Sequence, residues 1–251
     1  MLLYVLRCCA VGWTVVSYLI PSLLRRPIRS EDIHRSSRYC RQMARIMGWR
    51  VRRHGAGHEF GQPGLYVVNH LSYIDPLVLM AMAPLCFVTS TETERNRFLG
   101  SVARRGGCLF TDRRSARAAR EHAGMLAREL QRRPVVVFPE ATSTNGERVL
   151  PFKSAFFQSA VDAACIVRPV CIRYSEVGGR PFGLRTRDRV CWYGDMRFVP
   201  HLVRLIGVKR LDIDIHLLPG MQPQAGIDRK ALAHQVHRQI DRRYRSGRPA
   251  A

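Results

Sequence analysis

Apolar residues recur along this chain with two different periods. Short, β-branched runs at 65–68, 85–88, 108–111, 135–138 and 166–172 read as strands. Between them, stretches 76–82, 94–105, 115–130 and 154–164 repeat apolar residues at helical spacing. Such alternation predicts an α/β domain with a mixed, largely parallel central sheet flanked by helices. Runs at 190–193 and 211–217 add two further strands. In the second, Leu211, Ile213, Ile215 and Leu217 alternate with Asp212, Asp214 and His216, which predicts a sheet with one wet face. A last helix begins near Asp228, with Leu232, Val236 and Ile240 as its buried stripe.

The N-terminal pattern is different. Residues 8–24 carry no charge, at the lower limit of the roughly 17–25 residues that a bilayer span needs. Trp13 and Tyr18 suit an interfacial position, Pro21 would kink the end, and Arg25 and Arg26 would hold the following chain on the cytoplasmic side. These features predict a short or half-inserted membrane anchor, with a buried core helix as the alternative. A cleaved signal peptide is disfavoured: the leading segment has only Arg7, and no A-x-A-like site follows. A second helix is predicted from Ser30, which would cap it, with Glu31 and Asp32 in the first turn. Ile33, Cys40, Met43 and Met47 form its apolar stripe, and arginines crowd the other face. A basic amphipathic helix lies either on a membrane surface or on its own domain. The expected organisation is a membrane-anchoring helical segment at 1–50, an α/β domain at 51–245 and a disordered tail at 246–251.

Composition narrows the class. The chain has 251 residues, 46% of them hydrophobic and 24% charged, and a mean hydropathy of −0.15. That is globular, neither disordered nor a multi-span membrane protein. The net charge of +22, with 38 arginines among 41 basic residues, implies an anionic partner. No zinc-finger, RRM or KH signature accompanies it, so nucleic acid is not the expected partner. The eight cysteines form no C-x-x-C pair and no zinc-spaced cluster. They read as small buried hydrophobes in a reducing compartment. No metal site is expected.

The chemistry gathers where predicted strands end. In an open α/β sheet, ligands bind at the carboxyl ends of strands. Asn69-His70 and, four residues beyond His70, Asp75 follow the first strand; Asp112-Arg113-Arg114 follow the third; Pro139-Glu140-Ala141-Thr142 follow the fourth; and Arg168 lies within the fifth. If the chain turns helical after His70, His70 and Asp75 stand about one turn apart. The carboxylate then accepts from one imidazole nitrogen and leaves the other as a base. The alternative is a simple strand-to-helix turn in which Asp75 caps the helix. By the same measure, Asp112-Arg113 is otherwise a surface ion pair, and Glu140 a buried hydrogen-bonded carboxylate.

These blocks resemble, in order and spacing, those of the glycerolipid acyltransferases: Asn69-His70-x4-Asp75, Gly107-x-Leu109-Phe110-x-Asp112-Arg113, Phe138-Pro139-Glu140-Ala141-Thr142 and Val167-Arg168-Pro169-Val170. The pattern is similar to the bacterial 1-acylglycerol-3-phosphate type over about residues 60 to 175. Trp192-Tyr193-Gly194-Asp195-Met196 is similar to a segment of the lyso-ornithine-lipid subgroup. The resemblance implies a membrane-associated enzyme on the cytoplasmic face of a bacterial inner membrane. It would have no bound cofactor, and would move an acyl chain from acyl-CoA or acyl-carrier protein to a lysolipid hydroxyl, converting lysophosphatidic acid to phosphatidic acid, with a lyso-ornithine lipid as the alternative acceptor. His70 would be the base and Asp75 its partner. Asn69, Asp112, Arg113, Arg114, Glu140, Ala141 and Thr142 would line the acceptor site. Two departures stand out. Ala141 occupies a position where the family usually has glycine, and Ser143 one where many members carry a phosphate-binding arginine. Lys153 or Arg168 would have to supply that charge, or the acceptor is not a phosphate monoester.

Two rival readings belong to other classes. A serine hydrolase would use Ser143 with His70 and Asp75, although Ser143 lacks the flanking glycines of a nucleophile elbow. A non-catalytic basic module would use only the +22 charge.

Overall fold

The structure, a computed structural model, describes residues 2–23, 31–55, 60–111, 124–224 and 226–247. Among them, eight strands form one sheet: β1 (Trp49–His54), β2 (Gly64–Val68), β3 (Cys86–Ser90), β4 (Leu109–Thr111), β5 (Pro134–Val137), β6 (Val167–Val177), β7 (Arg180–Pro181) and β8 (Leu211–Leu217). The spatial order is β1-β8-β6-β2-β5-β3-β4, and β7 pairs the end of β6. Strands β6, β2, β5, β3 and β4 run parallel, while β8 is antiparallel to β6 and parallel to β1. Every residue of β2 and of β5 is buried, as expected of central parallel strands covered on both faces.

The helices are α1 (Leu2–Leu23), α2 (Glu31–Ile46), α3 (Ile74–Met82), α4 (Thr91–Arg95), α5 (Arg97–Arg105), α6 (124–130), α7 (Gln158–Asp162), α8 (Phe198–Ile206) and α9 (Arg229–Ser246). The stretch expected as one helix at 94–105 is divided, because Asn96 is extended (φ −69°, ψ 118°), and Ser90 Oγ caps α4 by accepting from Thr93 N. The stretch at 154–164 begins as a 3-10 helix, Ser154–Phe157, before α7. Asp228 caps α9 by accepting from Lys230 N, and Leu232, Val236, Ile240 and Tyr244 are its buried stripe. Helix α9 ends at Ser246 itself; residues 248–251 lie outside the described residues, as do Ser30, Arg25 and Arg26.

Three differences from the sequence reading have physical causes. Strand β1 was hidden by its arginines. It is an edge strand, and Arg50, Arg52 and Arg53 are exposed. Residues 190–193 form no strand, although Val190 and Cys191 are fully buried. They pass over the turn that follows β2 instead, where Trp192 N donates to Leu71 O. The expected wet face of β8 is largely covered: Asp212 and His216 are buried, Arg210 binds the first, Arg243 from α9 reaches His216 at 3.1 Å, and only Asp214 is part-exposed, held at 2.8 Å by Arg52 and His54.

Helix α1 packs on α2, α5 and α8, and α2 packs on α3. Arg7 turns inward, and its guanidinium donates to Ile46 O (2.8 Å), Ile206 O (3.1 Å) and Val208 O (2.8 Å). It thereby satisfies carbonyls at the C-terminal ends of α2 and α8. Among the described residues no helix is long and apolar enough to cross a membrane.

Candidate active site

The turn after β2 is held from every side. Asn69, buried at its start, spends its whole amide on β6: Nδ2 donates to Ile172 O (3.0 Å) and Oδ1 accepts from Ile172 N (2.8 Å). The side chain thus prolongs the β2–β6 ladder by one residue instead of facing a substrate.

His70 comes next. Its Nδ1 lies 2.8 Å from Asp75 Oδ2, and the same oxygen accepts from Leu71 N (2.7 Å) and Ser72 N (2.9 Å). Asp75 Oδ1 accepts from Tyr174 OH at 2.6 Å. Asp75 is fully buried in the first turn of α3, whereas the His70 side chain is one-fifth exposed. A carboxylate on Nδ1 fixes the tautomer with the proton on that nitrogen and leaves Nε2 as the acceptor. The ring stacks on Phe138 (centroids 4.2 Å apart, 23° between planes).

The backbone of His70 is held as firmly. Its N–H donates to Glu140 Oε1 (2.7 Å), and its carbonyl accepts from Thr144 N (3.0 Å) and Thr144 Oγ1 (3.2 Å). Glu140 Oε2 accepts from Leu150 N (2.8 Å). Glu140 is therefore a buried brace between the His70 and Leu150 backbones. Burial pushes its carboxyl up to about 7; the N–H groups of Leu150 and His70 pull the other way but do not cancel it. Burial, reinforced by the charge of Asp75, likewise holds the Tyr174 phenol well above its ordinary value.

The remaining expected site residues divide. Ala141 and Thr142 are exposed beside Glu140, and Ala141 sits at φ 60°, the left-handed conformation that favours glycine. Lys153 is exposed, and its N–H donates to Pro139 O (2.9 Å), so its backbone is tied to the Glu140 turn. Arg168 is not brought to the site. It pairs with Tyr66 in register and leans toward Pro63 O, four residues before Ile172 and about 13 Å back along the strand. Asp112, Arg113 and Arg114 lie outside the described residues, just after β4. Ser143 Oγ donates to the Trp192 carbonyl, and Trp192 N donates to Leu71 O (3.1 Å). Ser143 thus ties the 190–196 segment over the turn and is not aimed at His70, as a hydrolase nucleophile would be.

Sequence reasoning missed Tyr174, which lies 99 residues from Asp75 and has no local motif. Phe138 and Thr144 stood within or beside the third block but carried no role until their contacts with His70 were seen.

Residues 39–173 match the family model described as Acyltransferase, more than half of the chain and the whole of the His70–Asp75–Glu140 cluster. The chain belongs to this acyltransferase family. It is 32% identical over 208 residues to a lyso-ornithine lipid O-acyltransferase of Brucella abortus (80% of this chain, 78% of the relative). It is 35% identical over 186 residues to one of Pseudomonas aeruginosa (74% and 69%). A 1-acyl-sn-glycerol-3-phosphate acyltransferase of Neisseria gonorrhoeae is 30% identical over 192 residues (73% of each). The acyltransferase fold is also that of PlsC, the 1-acyl-sn-glycerophosphate acyltransferase from Thermotoga maritima. The TM-score is 0.69 at 18% identity, covering 100% of this chain and 97% of that one. A purely non-catalytic basic module is thereby set aside.

Proposed function

We propose that this acyltransferase moves a fatty acyl chain from a thioester, acyl-CoA or acyl-carrier protein, to the hydroxyl of a lysolipid at a membrane surface. The observation that carries the reading is the four-sided hold on His70, by Asp75 on the ring nitrogen, Phe138 on the ring face, Glu140 on the N–H and Thr144 on the carbonyl. Nε2 takes the acceptor's hydroxyl proton as its oxygen attacks the thioester carbonyl carbon. The C–S bond breaks, and the proton passes from His70 to the leaving sulfur. An ester and a free thiol result. Asp75 stabilises the imidazolium that exists between the two transfers. Holding acceptor and thioester in line supplies much of the remaining acceleration.

Two observations favour a lyso-ornithine lipid as acceptor over lysophosphatidic acid. Ser143 replaces the phosphate-binding arginine of many members and is committed to Trp192 O. The Brucella and Pseudomonas relatives carry the lyso-ornithine name. Lysophosphatidic acid remains the second reading, supported by the Neisseria relative and by Lys153 beside the Glu140 turn. Membrane association rests on the outward apolar face of α1 and on the +22 charge, which suits anionic lipid, CoA and an acidic carrier alike. The lipid surface proposed is the cytoplasmic face of a bacterial inner membrane.

The test offers purified protein both lysolipids with each donor. Ester formation on one of them, abolished by His70→Ala, is the expected result. Transfer to neither lysolipid would sink the assignment, and unchanged transfer by His70→Ala would sink the mechanism.

A further inference from the structure

Helix α8 has two faces that differ sharply. Inward, His201 is fully buried and its Nδ1 lies 2.9 Å from Tyr73 OH; Leu205 and Ile206 are buried beside it. Tyr73 stands between His70 and Asp75, and its ring also meets Phe198 (5.0 Å) and Trp192 (5.9 Å). Outward, Val199 and Val203, one helical turn apart, are 66% and 51% exposed. A nine-residue helix that leaves two β-branched apolar residues in the open on one face has an unpartnered side.

That side adjoins a larger one. On α1, Val5, Leu6, Trp13, Val16 and Ile20 are exposed along one stripe, while Arg7, Val11, Thr14 and Tyr18 face the protein. Tyr4 OH donates to Val203 O at 3.1 Å, and Arg7 binds the carbonyls that end α8. The two helices are therefore stapled together with their apolar faces both open. Arg204 on α8 and Arg197 just before it are exposed, as is Arg189 in the 3-10 helix that packs against α8 (Arg187–Arg189). On α2, which packs against α1, Arg38, Arg41 and Arg45 are also exposed. Apolar stripes bordered by arginine match the acyl boundary and the phosphates of an anionic bilayer.

We infer that α8 is a second bilayer-contacting element, continuous with α1, which seats the catalytic turn at the lipid surface. The partner is the anionic face of a phospholipid membrane. Because Tyr73 and His201 join α8 to the turn that carries His70, a lysolipid lying in that membrane reaches the base without leaving the interface. The binding part stands on the surface alone, and only its consequence for turnover rests on the proposed function.

The experiment compares the full-length chain with Val199→Asp/Val203→Asp. Both positions face solvent, and circular dichroism checks the fold. Co-sedimentation with phosphatidylglycerol vesicles is expected to fall about tenfold or more in the double variant. Transfer to lysolipid embedded in those vesicles should fall in step, while transfer to a short-chain lysolipid dispersed as monomers stays within about twofold. Val203→Trp, made in a Trp13→Phe background and compared with that background alone, supplies the converse: the added emission should shift to the blue when vesicles are added. Wild-type sedimentation of the double variant, or no spectral shift for Val203→Trp, overturns the inference. So does a wild-type dimer, seen by sedimentation velocity, that the double variant dissociates, because the face would then join two copies. Absence of transfer to the dispersed acceptor in the wild type would instead count against the proposed activity, and the vesicle arm would still decide the role of α8.

Discussion

Asp75→Asn separates the charge of the carboxylate from its scaffolding. In the native site Oδ2 accepts from His70 Nδ1, Leu71 N and Ser72 N, and Oδ1 from Tyr174 OH. An asparagine with its oxygen in the Oδ2 position keeps the first three bonds. Its amide then faces Tyr174, whose hydroxyl turns to accept. The fold should therefore survive, at a cost of about 1 kcal/mol. The loss falls on the charged intermediate. A unit charge pair about 4 Å apart at an effective dielectric near 20 is worth about 4 kcal/mol, and the neutral hydrogen bond that remains returns about 1. The net, about 3 kcal/mol, lowers kcat about a hundredfold. Asp75→Ala differs in kind: Leu71 N, Ser72 N and Tyr174 OH lose their acceptor inside the protein, at about 1–3 kcal/mol each. Steady-state kinetics and thermal melts on the two variants check this. A kcat for Asp75→Asn within threefold of wild type would refute the charge argument. Equal loss of Tm in both variants would refute the hydrogen-bond argument.

Two further outcomes follow from the same turn. Glu140 is raised from its ordinary 4.5 to about 7 when folded, so the folded chain holds that proton more tightly than the unfolded one. Its stability contribution is complete below the unfolded value and is lost as pH rises through the folded value, a swing of about 3 kcal/mol. Urea titrations should show the stability of wild type relative to Glu140→Gln falling between about pH 4.5 and about pH 7 and levelling above that, and a difference that stays flat would contradict the burial argument. Ala141 at φ 60° carries a left-handed cost of roughly 1–2 kcal/mol, and glycine gives back part of that relief through the freer unfolded chain. Ala141→Gly should raise Tm by about 1–4 °C, and a lower Tm would show that the turn is not strained there.

Much of this protein was legible along the chain because its signals are local. Continuous apolar runs mark β2 and β5, since both of their faces are covered and every position must be apolar. His70 and Asp75 could be paired from spacing alone, because a strand-to-helix turn brings residues one turn apart into contact. Glu140 was recognised as part of the site, yet its task could not be read, since whether a carboxylate faces a ligand or a backbone depends on what packs around it. Tertiary structure decided the long-range terms. It joined Tyr174 to Asp75 across the sheet, moved Arg168 to the far end of β6, tied Ser143 to Trp192 and turned Arg7 inward onto two helix ends. Periodicity says which face of an element is apolar. Only the packed fold determines which distant group meets that face, and for a buried donor or acceptor that partner settles its role.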